Sequence, residues 1–194
     1  MLFLVSFSQA GSYHKIHISF AVDVSGSVST LEYNEIKNAF IDINDYVKNL
    51  KLKNREKRIS IYEWSTDVSS YYISDDFSAI EKYIKSERSS YGSTAVGRAL
   101  MFFMNILFDK SYRENILIII TDGINNEGPS IKDTNFVSWS IVNKVKIFII
   151  LIENEDILYP NYKENFDRSD NVIFIVKNFE DLKDRMRTIM KFIE

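Results

Sequence analysis

Apolar positions along the chain follow two rhythms that take turns. Residues 15–23 (Lys-Ile-His-Ile-Ser-Phe-Ala-Val-Asp) begin as an alternating run and lose the alternation toward the end, which fits a strand covered on both faces. Behind it, Leu31, Ile36, Phe40, Ile43, Val47 and Leu50 recur with helical spacing, and Ser29-Thr30-Leu31-Glu32 has the form of a capping box. A long amphipathic helix is therefore expected directly after a serine-rich turn. Residues 59–64 alternate as a second strand, 69–73 complete an edge hairpin with it, and 77–84 read as a short helix. From Thr94 onward, Val96, Ala99, Leu100, Phe103, Ile106 and Leu107 trace another helical stripe. Residues 115–121 and 145–152 are continuous apolar runs, as parallel strands buried on two faces are, with a helix over 136–142 between them. A last strand over 171–177 precedes a helix marked by Phe179, Leu182, Met186, Ile189 and Ile193. Strands alternating with helices predict an α/β fold with a doubly wound, mostly parallel sheet and helices on both faces. No internal repeat divides the chain, and a single domain over 13–194 is expected.

Composition narrows what such a fold can do. A formal net charge of −3 supplies no basic footprint for nucleic acid. The absence of cysteine excludes disulfides, zinc-thiolate sites and cysteine nucleophiles, and leaves His14 and His17 as the whole imidazole complement. Residues 1–12 read as the remnant of a signal peptide or a disordered start: the apolar stretch is short and lacks a basic beginning, but Ser8 and Ala10 are placed like a cleavage site. No later apolar run reaches the ~18 residues of a membrane span.

The chemistry concentrates at Asp23-Val24-Ser25-Gly26-Ser27, where a carboxylate and two hydroxyls recur at every second position between the first strand and its helix. Asp122 ends a later core strand, and Thr94 stands at a helix start. If the two strands are neighbours where the winding reverses, their loops bring Asp23, Ser25, Ser27, Thr94 and Asp122 together. An oxygen-only set favours a hard cation, Mg²⁺ or else Mn²⁺ or Ca²⁺, over zinc or copper. Two carboxylates leave part of a divalent charge uncompensated, so an incoming carboxylate could complete the shell.

The order Ala-Val-Asp23-Val-Ser25-Gly-Ser27-Val28, Gly-Ser-Thr94-Ala-Val-Gly97 and Ile-Ile-Thr-Asp122-Gly-Ile-Asn-Asn126 resembles the von Willebrand factor A-type domain and its metal-ion-dependent adhesion site, MIDAS. The resemblance runs from about residue 13 to the end. It implies a six-stranded sheet with one short antiparallel edge strand. It also implies that the two serines, and often the threonine, bind the ion directly while the acids act partly through water. Together with Glu32-Tyr33 and Tyr-Glu63-Trp64, the pattern looks most like a bacterial, often secreted subgroup. The function it implies is non-enzymatic: a cation-dependent adhesion module whose ion takes an Asp or Glu of a protein partner, in the periplasm or outside the cell.

Two other functions fit parts of the pattern. Some family members are cytoplasmic adaptors for an ATPase or chelatase. An aspartate after a first strand can also be the nucleophile of a metal-dependent phosphohydrolase, but Ser25 stands where that chemistry needs a second acid. Phosphate-loop, dinucleotide and nucleophile-elbow motifs are missing. The basic run 51–58 reads as a solvated loop, Asp67, Asp75, Asp76 and Glu127 as surface acids, and Trp64 and Trp139 as packing residues.

Overall fold

The computed structural model describes residues 14–49, 55–86, 92–152, 155–166, 171–178 and 181–193. The readings made on residues 1–12, Leu50, 51–54 and Phe179 lie outside them. Strands β1 (His14–Asp23), β2 (Arg55–Trp64), β3 (Val68–Ser74), β4 (Glu114–Thr121), β5 (Val145–Ile152) and β6 (Val172–Val176) form one sheet in the order β3-β2-β1-β4-β5-β6. Every pairing is parallel except β2 with β3, the antiparallel edge hairpin the alternation predicted. Helices α1 (Thr30–Asn49), α2 (Phe77–Ile84), α3 (Val96–Phe102), α4 (Phe136–Val142), α5 (Glu155–Asn165) and α6 (Leu182–Ile193) cover the two faces.

Side-chain alternation along β1 sorts the core into two layers. Ile16, Ile18, Phe20 and Val22 point toward α1, α2 and α6, where Ile36, Phe40, Ile43, Ile80, Met186 and Ile189 meet them. Ala21 points the other way, into a layer with Tyr62, Trp64, Leu100, Phe103, Phe136 and Tyr162. The same parity carries Asp23 to the α3 side of the sheet. Between β1 and β4 the winding reverses, since the chain leaves β1 for β2 on one side and β4 for β5 on the other. Asp23 and Asp122 thus flank the crevice where such sheets bind ligands.

Local chemistry explains the element ends. The Ser29 amide donates to Glu32 Oε2 at 2.6 Å and the Glu32 amide to Ser29 Oγ at 3.3 Å, so the capping box forms as read. Asp76, expected only as a surface acid, caps α2 by accepting from the amides of Ser78 and Ala79. Trp139 packs edge-on against Phe103 and Phe108.

Four expectations need correction. Leu31 is 72 % exposed rather than part of the apolar stripe, because the buried face of α1 begins with Tyr33 and Ile36 and Leu31 lies nearly opposite it. Ile106 is 53 % exposed because residues 103–107 form a π-turn, with the Phe108 amide on Phe103 O at 2.9 Å, and the widened turn rotates Ile106 outward. The basic run is not all loop: β2 starts at Arg55, Lys57 donates to Val47 O at the end of α1, and Arg58 stacks over Tyr112. Finally, α5 was not predicted. It carries Pro160 in its interior and has weak amphipathicity, yet Leu158, Tyr162 and Phe166 recur every four residues and are buried.

His17 on β1 sits in a buried polar cluster. It is buried with its Nε2 3.1 Å from Ser60 Oγ, which in turn donates to Ser19 Oγ at 2.7 Å. Burial, reinforced by the nearby Arg58 charge, holds its pKa down to about 4.

Candidate metal centre

The structure brings all five sequence-predicted residues to one point. Asp23 closes β1 with its side chain 1 % exposed, and its Oδ1 accepts the Ser25 amide at 2.9 Å, which folds the turn back over the strand end. Its Oδ2 accepts the Thr121 hydroxyl at 2.5 Å. From there the hydroxyls run in series. Thr94 Oγ1 donates to Ser25 Oγ at 3.1 Å, Ser25 Oγ shares a 3.1 Å hydrogen bond with Ser27 Oγ, and Ser27 Oγ donates to Asp122 Oδ1 at 2.9 Å. Ser25 and Thr94 are buried, Asp122 is half-buried and Ser27 is exposed, so the set opens to solvent on the side of Ser27 and Asp122.

This donor set fits a hard cation. Hydroxyl and carboxylate oxygens are the donors that Mg²⁺, Mn²⁺ and Ca²⁺ take, and the hydroxyls of Thr94, Ser25 and Ser27 lie in series at 3.1 Å, close enough to face one ion. Among the described residues no three His, Cys, Asp or Glu side chains cluster, so the site is a mixed hydroxyl–carboxylate one rather than a carboxylate cage.

Neighbours that the sequence reading did not single out hold the set in place. Thr121 fixes Asp23 and also bonds the Gly123 backbone at 3.1 Å. Tyr162 of α5, a hydroxyl kept protonated by burial, donates to Gly123 O at 3.0 Å and pins the turn after Asp122. A Cβ at Gly123 would lie 2.8 Å from Thr94 Oγ1. Gly123→Ala is therefore expected to push Thr94 off the set and weaken cation binding by about 10-fold or more with the fold retained, as titration with Mn²⁺ would reveal. The signal for Thr121 and Gly123 was their adjacency to Asp122; Tyr162 had none, being on the helix that the pattern hid.

Glu63 and Trp64 do not join the site. Trp64 is fully buried in the core layer with Tyr62 and Leu100, and Glu63 points to the opposite face, accepting from Tyr33 at 2.6 Å and Ser70 at 2.7 Å. Asp67 accepts its neighbour's amide and stays on the surface.

Burial pushes the Asp23 carboxyl up to about 6, against the pull of hydrogen bonds from Thr121 and Ser25. A raised acid stabilises the metal-free fold below its unfolded pKa, and that contribution is lost as pH rises through about 6. His17 works in the opposite sense: its contribution is present above pH 6.5 and is lost as pH falls through about 4. The two slopes oppose each other between pH 4 and 6. In Asp23→Asn, the opposing slope is removed and the His17 slope is expected to dominate, a fall on the order of 3 kcal/mol from pH 6.5 to 4 by urea denaturation.

A sequence model of the von Willebrand factor type A domain matches residues 17–188. The chain belongs to this family. Among solved structures, the VWA domain matches proximal thread matrix protein 1 from the mussel byssus, solved with a zinc-occupied MIDAS motif. The TM-score is 0.75 at 22% identity, over 93% of this chain and 46% of that one. It also matches the pilus adhesin SpaC of Lactobacillus rhamnosus GG, with TM-score 0.71 at 13% identity over 94% of this chain and 30% of that one. A third match is an aerotolerance-related membrane protein of Bacteroides fragilis, at 0.67 and 14% over 91% and 98%. These likenesses establish the fold, and the chain spans about half the length of the mussel protein. They come from a mussel and from bacteria, so they do not select the bacterial subgroup. No curated protein matches the chain. Among the described residues no helix is long and apolar enough to cross a membrane.

Proposed function

We propose that this VWA domain is a non-catalytic, divalent-cation-dependent protein-binding module. In this reading Asp23, Ser25, Ser27, Thr94 and Asp122 hold the ion, and an Asp or Glu of a protein partner completes its shell. The observation that carries the proposal is the convergence of these five oxygen-bearing side chains from three loops, with hydroxyl spacings of 3.1 Å. The bound ion supplies the positive charge that a carboxylate seeks. The chain's own residues do the rest: Asp23 is held by Thr121 and the Ser25 amide, the hydroxyls are aligned, and the face is open at Ser27 and Asp122. The oxygen-only donor set suits Mg²⁺, or else Mn²⁺ or Ca²⁺.

The segments that carry the site also hold Glu32, Asp67 and Glu127 in addition to the two site aspartates, charges that do not attract a partner carboxylate without the ion. Arg98, in the first turn of α3, is turned to the backbone, donating to Thr66 O at 2.6 Å. The zinc-occupied motif of the mussel protein and the adhesin role of SpaC support the same reading, and with it we propose a location outside the cytoplasm.

The test is selection of a random peptide display library on the protein in Mn²⁺ with EDTA elution. Enrichment of Asp or Glu is expected. Enrichment that EDTA does not reverse, or none of acidic residues, would refute the proposal. Because the Asp23 carboxyl must lose its proton to hold an ion, Mn²⁺ affinity is expected to rise steeply from pH 5 to 7, approaching 10-fold per unit below pH 6, and to level off above it.

A further inference from the structure

Helix α3 begins with Ala95 at its N-cap position, which offers no capping side chain. Its first turn is served instead from the loop after β4. Asn125 Oδ1 accepts the Gly97 amide at 3.1 Å while Asn125 Nδ2 donates to Pro129 O at 3.3 Å. One residue before the N-cap, Asn126 grips Thr94 twice: its Oδ1 accepts the Thr94 amide and its own amide donates to Thr94 O, each at 3.0 Å. Both backbone polar groups of Thr94 are thereby committed to one residue. The Thr94 side chain is β-branched and 4 % exposed, so its direction follows its backbone. With the backbone held, Oγ1 is aimed at Ser25 Oγ. Asn126 lies four residues beyond Asp122 on the same loop, so this grip joins the loops of Thr94 and Asp122 into one body.

We infer that Asn126 is a positioning residue of the metal centre, setting Thr94 at the ion's edge before any ion arrives; this rests on the five-residue site proposed above. Only a side chain with an acceptor at the Oδ1 position can do this, because an amide N–H only donates. Alanine at 126 keeps the backbone half of the grip and removes the side-chain half. Aspartate keeps both.

The experiment measures Mn²⁺ affinity from the free aqueous Mn²⁺ signal in electron paramagnetic resonance. It compares native protein, Asn126→Ala and Asn126→Asp, each with Thr94 and with Thr94→Ala. Asn126→Ala is expected to weaken Mn²⁺ binding about 10-fold when Thr94 is present and less than about 2-fold when it is not. Asn126→Asp is expected to exceed Asn126→Ala by a larger factor with Thr94 than without it; the Thr94→Ala pair removes the effect of its added charge. Equal affinity for Asn126→Ala and native protein would overturn the inference. So would equal weakening in both backgrounds, which is the mark of a general structural role. A native protein that binds no Mn²⁺ would overturn the site itself, and if Asn126→Ala does not fold, Asn126→Leu, which keeps the size of asparagine and lacks the acceptor, takes its place in both backgrounds.

Discussion

Asp23→Asn is expected to abolish cation-induced stabilisation while leaving the metal-free fold at pH 7 at least as stable as the native one. The two halves of this result have one cause. A carboxylate held 1 % exposed with its pKa pushed up to about 6 is a charge the fold tolerates at a cost on the order of 3 kcal/mol at neutral pH. Asparagine removes that cost. It can also keep the local bonds: Oδ1 still accepts the Ser25 amide, and Nδ2 can donate to Thr121, whose hydroxyl already reaches Gly123 O at 3.1 Å. What it cannot supply is the negative charge that a divalent ion needs at the buried end of the site. For native protein at 100 times the dissociation constant of Mn²⁺, binding adds about 2.7 kcal/mol, or roughly 5–10 °C in Tm for a chain of this size. In Asp23→Asn, that shift is expected to vanish. A variant with markedly lower metal-free stability would mean that Asp23 is there for the fold and not for an ion.

Gly97→Ala is expected to be the most damaging single-methyl substitution near the site. A Cβ at this position would stand 2.0 Å from Pro129 O, a backbone atom that cannot rotate away. Either α3 or the loop after β4 must shift, and that shift breaks the Gly97–Asn125 bond and loosens Thr94. A loss of about 2–4 kcal/mol in urea denaturation is expected, the range of strain and overpacking in a close-packed interior. Cation affinity is expected to fall with it. Loss of affinity with unchanged stability, or the reverse, would mean that α3 and the ion loop are not the single unit described above.

Much of this architecture was legible in the chain because two physical signals are strong in it. The near-continuous apolar runs at 115–121 and 145–152 can only be strands covered on both faces, and oxygen donors at alternate positions after Val22 mark a turn with more polar groups than capping requires. Both survive to the structure because burial and backbone satisfaction enforce them locally. What the pattern hid depended on partners far along the chain. Tyr162 and α5 were obscured by Pro160, Ile106 by a π-turn that no periodicity announces, and Asn126 by an ordinary loop composition. The buried setting of His17 on β1 had no signal either, because nothing in sequence says that Ser19 and Ser60 will face it.

The central claim is that five oxygen-bearing side chains hold one divalent ion, with Asp23 indispensable. Calorimetric titration of Mn²⁺ into native protein and into Asp23→Asn at pH 7 tests it most directly. The account predicts a single saturable site in the native protein and none in the variant. No binding by the native protein, or equal binding by both, would contradict it.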